Sequence, residues 1–453
     1  MKVVFLPLAR TTFSMPDATE NFDKSCQLLE GLVENLQRPQ EMLTSPDILS
    51  DYLATVSTPD MVIYQCTTFI GGDFVTEITR RFNCPVIVWS LREPSIDGGR
   101  LKLNSLTGAF SAGNSLYMQE RGYRFVFGNP GEPSVVRSFK QILAALDITK
   151  KLSELVIGVV GSQPAGFDFG DMDEALLAGK LGAKVVRVEV ASLLKTAQTY
   201  PPEALADSLA ELKERTKGWE SLPAENMEKH ARLRVAYREF VENNGIKALA
   251  SRCWPDFFTE YGVPVCAVLS FLNDCGVSAS CETDMGGAIS MFIGSALTGG
   301  SAYFGDPVAI DESCGSIVFW HCGAGAPSLA RGGGRTPSLA TGGAGAKLGV
   351  HPNRKIGPTM EFGLKEGDVT ILRLGKSREG LRLMAMKGKA LDEPQKFWGT
   401  SLTFQPATET PLEKVTALVA DGWEPHFAIV YGNVVEELRL MCGFLDIPFK
   451  EYI

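Results

Sequence analysis

The sequence predicts an α/β protein: two Rossmann-like parallel α/β domains followed by a C-terminal, mainly antiparallel β-barrel-like domain. Three observations carry that expectation. Short apolar β-type runs alternate with helical stretches through the first part of the chain, the pattern of a parallel sheet with crossover helices. The alternation restarts near Leu155, where LVIGVVGSQPAGFD reads as a buried strand followed by a Gly/Pro turn. Beyond about Pro327, short strands at close spacing with turns between them suggest an antiparallel barrel or sandwich. The expected domains are 1–152, 153–298 carrying Glu282, and 299–453 carrying Asp306 and His426. A chain of 453 residues is too long for one core.

In order, KVVFLPL (Lys2–Leu8) is a strand, followed by a helix from about Ala18 to Leu36 with Asp17 and Asn21 near its start. MVIY (Met61–Tyr64) and PVIVW (Pro85–Trp89) are further strands, with a helix over 71–82 between them. Ligands of parallel sheets sit at the carboxyl ends of strands. That rule directs attention to the turn holding Arg10, to Gln65–Thr68, and to Ser90–Arg92. In the second unit GVVGSQPAG tempts toward a phosphate loop but lacks both GxGxxG and GK[ST]. KVVRVEV (Lys184–Val190) and Ile246–Ala250 are strands, the latter leading to Arg252, Cys253 and Trp254. Helices are expected over 203–216 and 224–244, and Val265–Leu272 is a small apolar helix or strand. The stretch SLARGGGRTPSLATGGAGAKLG is low-complexity and reads as a long mobile loop. After it, 369–374, 381–387, 402–404 and 427–431 are strand-like, and Val434–Cys442 is a final helix.

Net charge of −9 without a compensating basic run argues against nucleic acid as the main partner. No apolar run approaches the ~20 residues needed to cross a bilayer, so no membrane partner is expected. The start MKVVFLPLAR is too short and polar for a signal peptide, and ten cysteines show no CxxC spacing. These features predict a cytoplasmic protein with reduced thiols.

Chemistry concentrates in Ser280–Cys322, where Glu282, Asp284, Asp306 and His321 stand amid apolar, glycine-rich sequence. A carboxylate in such surroundings must be paired, hydrogen-bonded or metal-bound, because burying it bare costs many kcal/mol. Glu282, Asp306, His321 and His426 are ligand types suited to Mn²⁺ or Mg²⁺. Each also has an ordinary explanation: a core histidine with one satisfied nitrogen, or an Asp before Pro in a turn. Cys253, Cys266, Cys275, Cys281, Cys314 and Cys322 crowd the same region, but zinc pairs favour C-x₂₋₄-C spacing. Buried free Cys acting as a small hydrophobe is the better account of them. Cys322 and His321, adjacent on a strand, point to opposite faces and would not pair as nucleophile and base.

The block Cys281–Ala288 (CETDMGGA) followed by Asp306-Pro307 resembles the core of the L-fucose/L-arabinose isomerase family, which includes sulfoquinovose isomerase-like members. In that family a Glu and a second acid just over twenty residues later bind Mn²⁺; here Glu282 and Asp306 are 24 apart. Pro425-His426 before the apolar run FAIVY matches the family's C-terminal histidine, and His321 is placed for the extra histidine of the arabinose branch. The likeness is close over Ser280–Cys322 and loose over the rest, and the domain order agrees.

The resemblance implies a metal-dependent aldose–ketose isomerase working through a cis-enediolate on a monosaccharide. Glu282 and Asp306 would be the acid/base pair and, with His426, the ligands of Mn²⁺ or of another divalent cation such as Mg²⁺ or Co²⁺. His321 would be a fourth ligand or a donor to substrate. Arg10, Arg252, Trp254, Trp320 and Arg354 are candidates for substrate binding. The chain departs from the family in being shorter and in the cationic glycine-rich region with Arg331, Arg335, Arg354 and Lys355. Those charges are either a solvated loop or a clamp for a phosphate, carboxylate or sulfonate. The substrate is therefore an anionic sugar such as sulfoquinovose or a neutral L-fucose, L-arabinose or D-arabinose. A catalytically inactive sugar-binding protein, and a lyase or epimerase using the same enediolate, stand as rivals. The resemblance also implies a homo-oligomer, a hexamer.

Overall fold

Strand β1 (Lys2–Leu8) is buried along almost its whole length, as a strand covered by helices on both faces must be. It sits near the middle of a five-stranded sheet with β2 (Asn35–Gln37), β3 (Met61–Cys66), β4 (Val86–Ser90) and β5 (Tyr123–Phe127). The order is β2-β1-β3-β4-β5 and every pairing is parallel. This sheet belongs to the compact unit Met1–Asp147; the second unit is Ile148–Ile453. The computed structural model describes residues 1–332, 345–408 and 410–453.

In the second unit, β6 (Val156–Val160), β7 (Lys184–Val188), β8 (Ala248–Ser251) and β9 (Ser278–Ser280) form another parallel sheet, ordered β7-β6-β8-β9. Strand order reverses beside β6, the place where open parallel sheets present ligands at their carboxyl ends. Those ends lead into Gly161, Arg252 and Cys281. The loop after β6 does not open directly into a helix, so it forms no phosphate cradle of the P-loop kind.

The remaining strands are β10 (Tyr303–Asp311), β11 (Ser316–His321), β12 (Leu348–Gly349), β13 (Thr359–Met360), β14 (Phe362–Gly363), β15 (Gly367–Ser377), β16 (Gly380–Ala390), β17 (Thr400–Pro406), β18 (Phe427–Tyr431) and β19 (Phe449–Tyr452). Antiparallel pairings run β10–β11–β17–β16–β15–β18 and back to β10, which closes a six-stranded barrel. Strands β14 and β19 attach in parallel to β17 and β16. Closure removes the sheet edges, and Phe319, Phe404, Ile371, Met384 and Ile429 belong to the core around it.

The helix Met285–Thr298 joins the parallel sheet to the barrel. Its small residues are a packing requirement. A Cβ on Gly286 would stand 2.7 Å from the Leu374 carbonyl oxygen, and one on Gly287 would stand 2.4 Å from the Phe304 ring. Glycine therefore lets the helix lie against β15 and β10.

Sequence patterning missed the helices Pro46–Ala54, Ser105–Met118, Pro133–Ser153, Glu174–Leu181, Val190–Thr199 and Pro411–Ala420, and strands β2 and β5. The helix Ser105–Met118 is glycine- and serine-rich, so propensity is weak, and it forms because Gly108 packs directly on backbone at Thr68–Ile70. The first helix runs Met15–Leu32 and ends before the edge strand β2, where its expected last turn was placed. Part of the glycine-rich region is structured: Leu348–Gly349 pairs with Thr359–Met360, and Ala330 bridges Leu364. Arg335 lies outside the described residues.

Candidate active site

Four predicted residues, far apart in sequence, converge at the barrel rim. Glu282 follows β9, the parallel strand next to β8. Register does the rest: Asp306 faces Trp320 across β10 and β11, and Gly305 faces Phe427 across β10 and β18. His321, the last residue of β11, and His426, the residue before β18, are thereby carried beside Asp306. The ladder shifts register between Pro307 and Ala309, next to Asp306. Proline has no N–H to give the ladder, and such a bulge re-aims the neighbouring side chain.

Glu282 and Thr283 both adopt left-handed backbone, at φ 59° and 56°. For non-glycine residues this costs about 1–2 kcal/mol each, and the surroundings hold it in place. Thr283 donates its N–H to the Ser251 carbonyl (3.0 Å) and its hydroxyl to the Ser162 carbonyl (3.1 Å). Gln163 donates to the Thr283 carbonyl at 3.2 Å. The strained turn aims the Glu282 carboxylate at the barrel rim.

There His426 Nε2 lies 3.1 Å from Glu282 Oε2 and 3.0 Å from Asp306 Oδ1, while its Nδ1 lies 2.9 Å from Asp284 Oδ2. Burial opposes charge on this ring, but hydrogen bonds to Asp284, Asp306 and Glu282 outweigh it and raise the pKa well above the ordinary value. Asp284 is fully buried and also accepts from Arg373 Nη1 at 2.6 Å and from the Gly287 N–H at 2.8 Å, capping the Met285–Thr298 helix. Burial raises its pKa, yet the Arg373 guanidinium and His426 hold it down at about 2. Asp284 therefore stays ionised and fixes the ring so that Nε2 points at the two acids.

His321 completes the group. Contrary to the expectation that the two would point apart, its Nδ1 is 3.4 Å from the Cys322 thiol, because β11 ends at His321 and strand alternation stops there; its buried Nε2 has no hydrogen-bond partner. Burial lowers its pKa, but Cys322, Glu282 and Asp306 more than compensate, raising it to about 9. Donor atoms of Glu282, His321 and His426 all lie within 4.8 Å of one another. An orphaned imidazole nitrogen facing a mixed oxygen–nitrogen donor set fits a divalent ion of the Mn²⁺ kind. Asp306, held to the same His426 nitrogen, is the fourth available donor.

Glu282, Asp306 and His321 line a cavity of about 410 Å³, the size of a small-molecule pocket, while His426 and Asp284 are buried and are not part of its lining. Phe167, Trp254, Phe258 and Trp320 supply apolar surface, and His351, Asn353 and Arg354 supply further polar groups. Trp254 Nε1 donates to Glu282 Oε1 at 3.3 Å, so the indole is both wall and positioning donor. Trp320 donates to the Trp398 carbonyl at 2.6 Å. The Arg354 guanidinium stacks over Phe258 at 5.8 Å.

The other expected residues are placed differently. Arg252 is not among the lining residues: its guanidinium is taken up by Asp256, Ser162 and the Gln163 carbonyl. Arg10 belongs to the first unit, where it pairs with Asp73 at 2.7 Å. Arg331 is paired with Asp392, and Lys355 covers the Trp398 ring at 3.6 Å. Sequence reasoning missed Arg373, Phe167, Phe258, His351 and Asn353. Arg373 alone carried a signal, a cation in the apolar run VTILRLG (369–375), which implies a buried partner.

No family model matches the chain. It is 42% identical, over its whole length and 99% of the relative, to a sulfoquinovose isomerase of Clostridium sp. (strain MSTE9). It is 41% identical to a sulfoquinovose isomerase of Alkalicoccus urumqiensis and 40% to one of Priestia megaterium (strain ATCC 12872 / QMB1551), each time across all of this chain and 99% of the relative.

Proposed function

The chain belongs to the sulfoquinovose isomerase family and is an aldose–ketose isomerase of an anionic sugar; we propose that the sugar is sulfoquinovose, isomerised at the Glu282–Asp306–His426 site. One observation carries this reading. Glu282 and Asp306, which line a cavity that also holds Arg354, meet at a single nitrogen of the buried His426.

Isomerisation moves a proton between adjacent carbons C1 and C2, and a carbon acid beside a carbonyl does not ionise readily near neutral pH. In our reading Glu282 and Asp306 serve as base and acid across the plane of a cis-enediolate. The Trp254 N–H keeps Glu282 oriented, and the Asp284–His426 bond keeps the imidazole from rotating away. Glu282, Asp306, His426 and His321 would hold a Mn²⁺ or similar ion, which when bound supplies positive charge to the substrate oxygens as negative charge develops. Trp254 and Trp320 cover the apolar face of the ring. Arg354, whose five N–H donors match a multi-oxygen anion, takes the sulfonate.

The test compares sulfoquinovose with neutral L-fucose, L-arabinose and D-arabinose, after chelation and again after Mn²⁺ is restored. Preference for the anionic sugar, with activity lost on chelation and regained with Mn²⁺, is expected. A strong preference for the neutral sugars refutes the role of Arg354. Product analysis separates isomerisation from epimerisation and cleavage. Glu282→Gln should fold normally and lose about 10²–10⁴-fold in turnover; undiminished turnover removes the mechanism.

No helix among the described residues is long and apolar enough to cross a membrane. A cytoplasmic homo-hexamer completes the proposal. Ten free cysteines, most of them buried, support a reducing compartment. The assembly rests on the family resemblance, and sedimentation velocity tests it.

A further inference from the structure

Arg354, the arginine that lines the sugar cavity, stands on an irregular connection. Residues 350–358 join β12 to β13 outside any strand or helix, and Asn353 and Arg354 are exposed. A long, exposed side chain on such a segment loses its aim unless the backbone beneath it is fixed. One residue fixes it, through backbone and side chain alike. The His351 N–H donates to the Ile356 carbonyl at 2.9 Å, and the His351 carbonyl accepts the Lys355 N–H at 2.9 Å. Its ring nitrogen Nδ1 accepts from the N–H groups of Asn353 and Arg354, each at 3.3 Å. The second of these bonds ties the ring to the very residue that carries the guanidinium.

The ring is itself anchored. His351 is buried and meets the Phe258 ring edge-on, at 4.9 Å between centroids and 72° between planes. The Arg354 guanidinium lies over that same Phe258 ring at 5.8 Å. Lys355, near the end of the turn, adopts left-handed backbone at φ 57°, which a non-glycine residue keeps only where its neighbours hold it. Packing against Phe258 asks only for a flat ring. Accepting two N–H groups asks for an unprotonated ring nitrogen, which among aromatic side chains histidine supplies.

We propose that His351 is the positioning residue for recognition of the anionic sugar: its Nδ1 shapes the turn 351–356 so that Arg354 meets the charged group of the substrate. The proposal rests on the assignment of the sulfonate to Arg354 made above, and it adds the group that aims that arginine. A guanidinium displaced by about 1 Å keeps its charge but loses the paired geometry on which its contribution depends.

Two substitutions separate the acceptor from the ring. His351→Asn puts a carbonyl oxygen near the position of Nδ1 and removes the ring, whereas His351→Phe keeps the ring against Phe258 and removes the acceptor. His351→Ala also lacks the acceptor and serves in place of His351→Phe should that variant not fold. Each variant, checked as folded by circular dichroism and loaded with Mn²⁺, is assayed on sulfoquinovose. His351→Phe and His351→Ala should raise KM at least about 10-fold, the cost of a misaimed charge-assisted hydrogen bond, with kcat changed less than about 2-fold. His351→Asn should stay within about 3-fold of the wild-type KM, because an Asn side chain accepts the same backbone N–H groups. Combined with Arg354→Gln, His351→Phe should add nothing, since a residue that acts through Arg354 is silent without it. An unchanged KM in folded His351→Phe or His351→Ala overturns the proposal. So does an effect of His351→Asn as large as that of His351→Phe, a loss confined to kcat, or full additivity with Arg354→Gln. Preference of the native enzyme for neutral sugars is a separate failure, visible before any variant is made: it removes the sulfonate from Arg354, and the proposal with it.

Discussion

Replacing Asp284 by Asn tests the electrostatic frame of the site. Asp284 has no exposed surface, and its carboxylate is held by Arg373 at 2.6 Å and by His426 at 2.9 Å. Arg373 is equally buried, and its other acid, Glu424, is 3.9 Å away. The amide is nearly isosteric and still accepts the Gly287 N–H, so the helix cap survives and the charge is what is lost. Breaking a buried pair on one side costs about 3–5 kcal/mol. Glu424 remains as a partial counter-ion, which places this case near the lower end, at about 3 kcal/mol. With a urea slope of about 2–3 kcal/mol per molar, the unfolding midpoint should fall by at least about 1 M. Having lost its orienting carboxylate, His426 should also hold Mn²⁺ about 10–100-fold more weakly. Urea denaturation followed by fluorescence, and Mn²⁺ binding by equilibrium dialysis, read the two effects. Adding Arg373→Met should recover much of the stability, since the cation then no longer needs a partner. A midpoint within experimental error of wild type, or strictly additive single and double variants, would refute the reasoning.

Three further outcomes follow from the same geometry. Arg354→Gln should raise KM for the sulfonated sugar about 10–100-fold, the value of a charge-assisted hydrogen bond of about 1.5–3 kcal/mol, with kcat little changed; steady-state kinetics at several salt concentrations check it. Gly287→Ala should lose about 1–3 kcal/mol through overpacking against Phe304, seen as a lowered thermal midpoint. His230 is fully buried with neither ring nitrogen partnered, and desolvation, helped by Arg234, holds its pKa well below 6.5. A depressed histidine costs nothing above pH 6.5. Below it the unfolded chain binds a proton that the native state refuses, so stability should fall by up to about 1.4 kcal/mol per pH unit. Urea midpoints between pH 7 and 5 should show a shallower fall in His230→Leu than in wild type.

By itself the sequence determined the architecture and showed which acids lie stranded in apolar surroundings. Apolar runs punctuated by Gly and Pro are local signals, and they marked the two parallel sheets and the barrel strands. Acids stranded in apolar sequence marked Glu282, Asp284 and Asp306, because burying charge always requires a partner. Tertiary structure decided who those partners are. His426 meets Glu282 because antiparallel register carries the start of β18 to the same barrel rim as Asp306, and no local pattern encodes register between strands more than a hundred residues apart. Register likewise left Arg252 in a side-chain and carbonyl network and brought Arg354, from an irregular segment, into the cavity. The cysteines make the point most sharply. Their spacing spoke against any pairing, yet the start of a helix and the end of β11 bring the sulfurs of Cys266 and Cys322, 56 positions apart, to 3.7 Å. Spacing rules describe ligands supplied by a single turn or hairpin; ligands supplied by a whole fold obey only its topology.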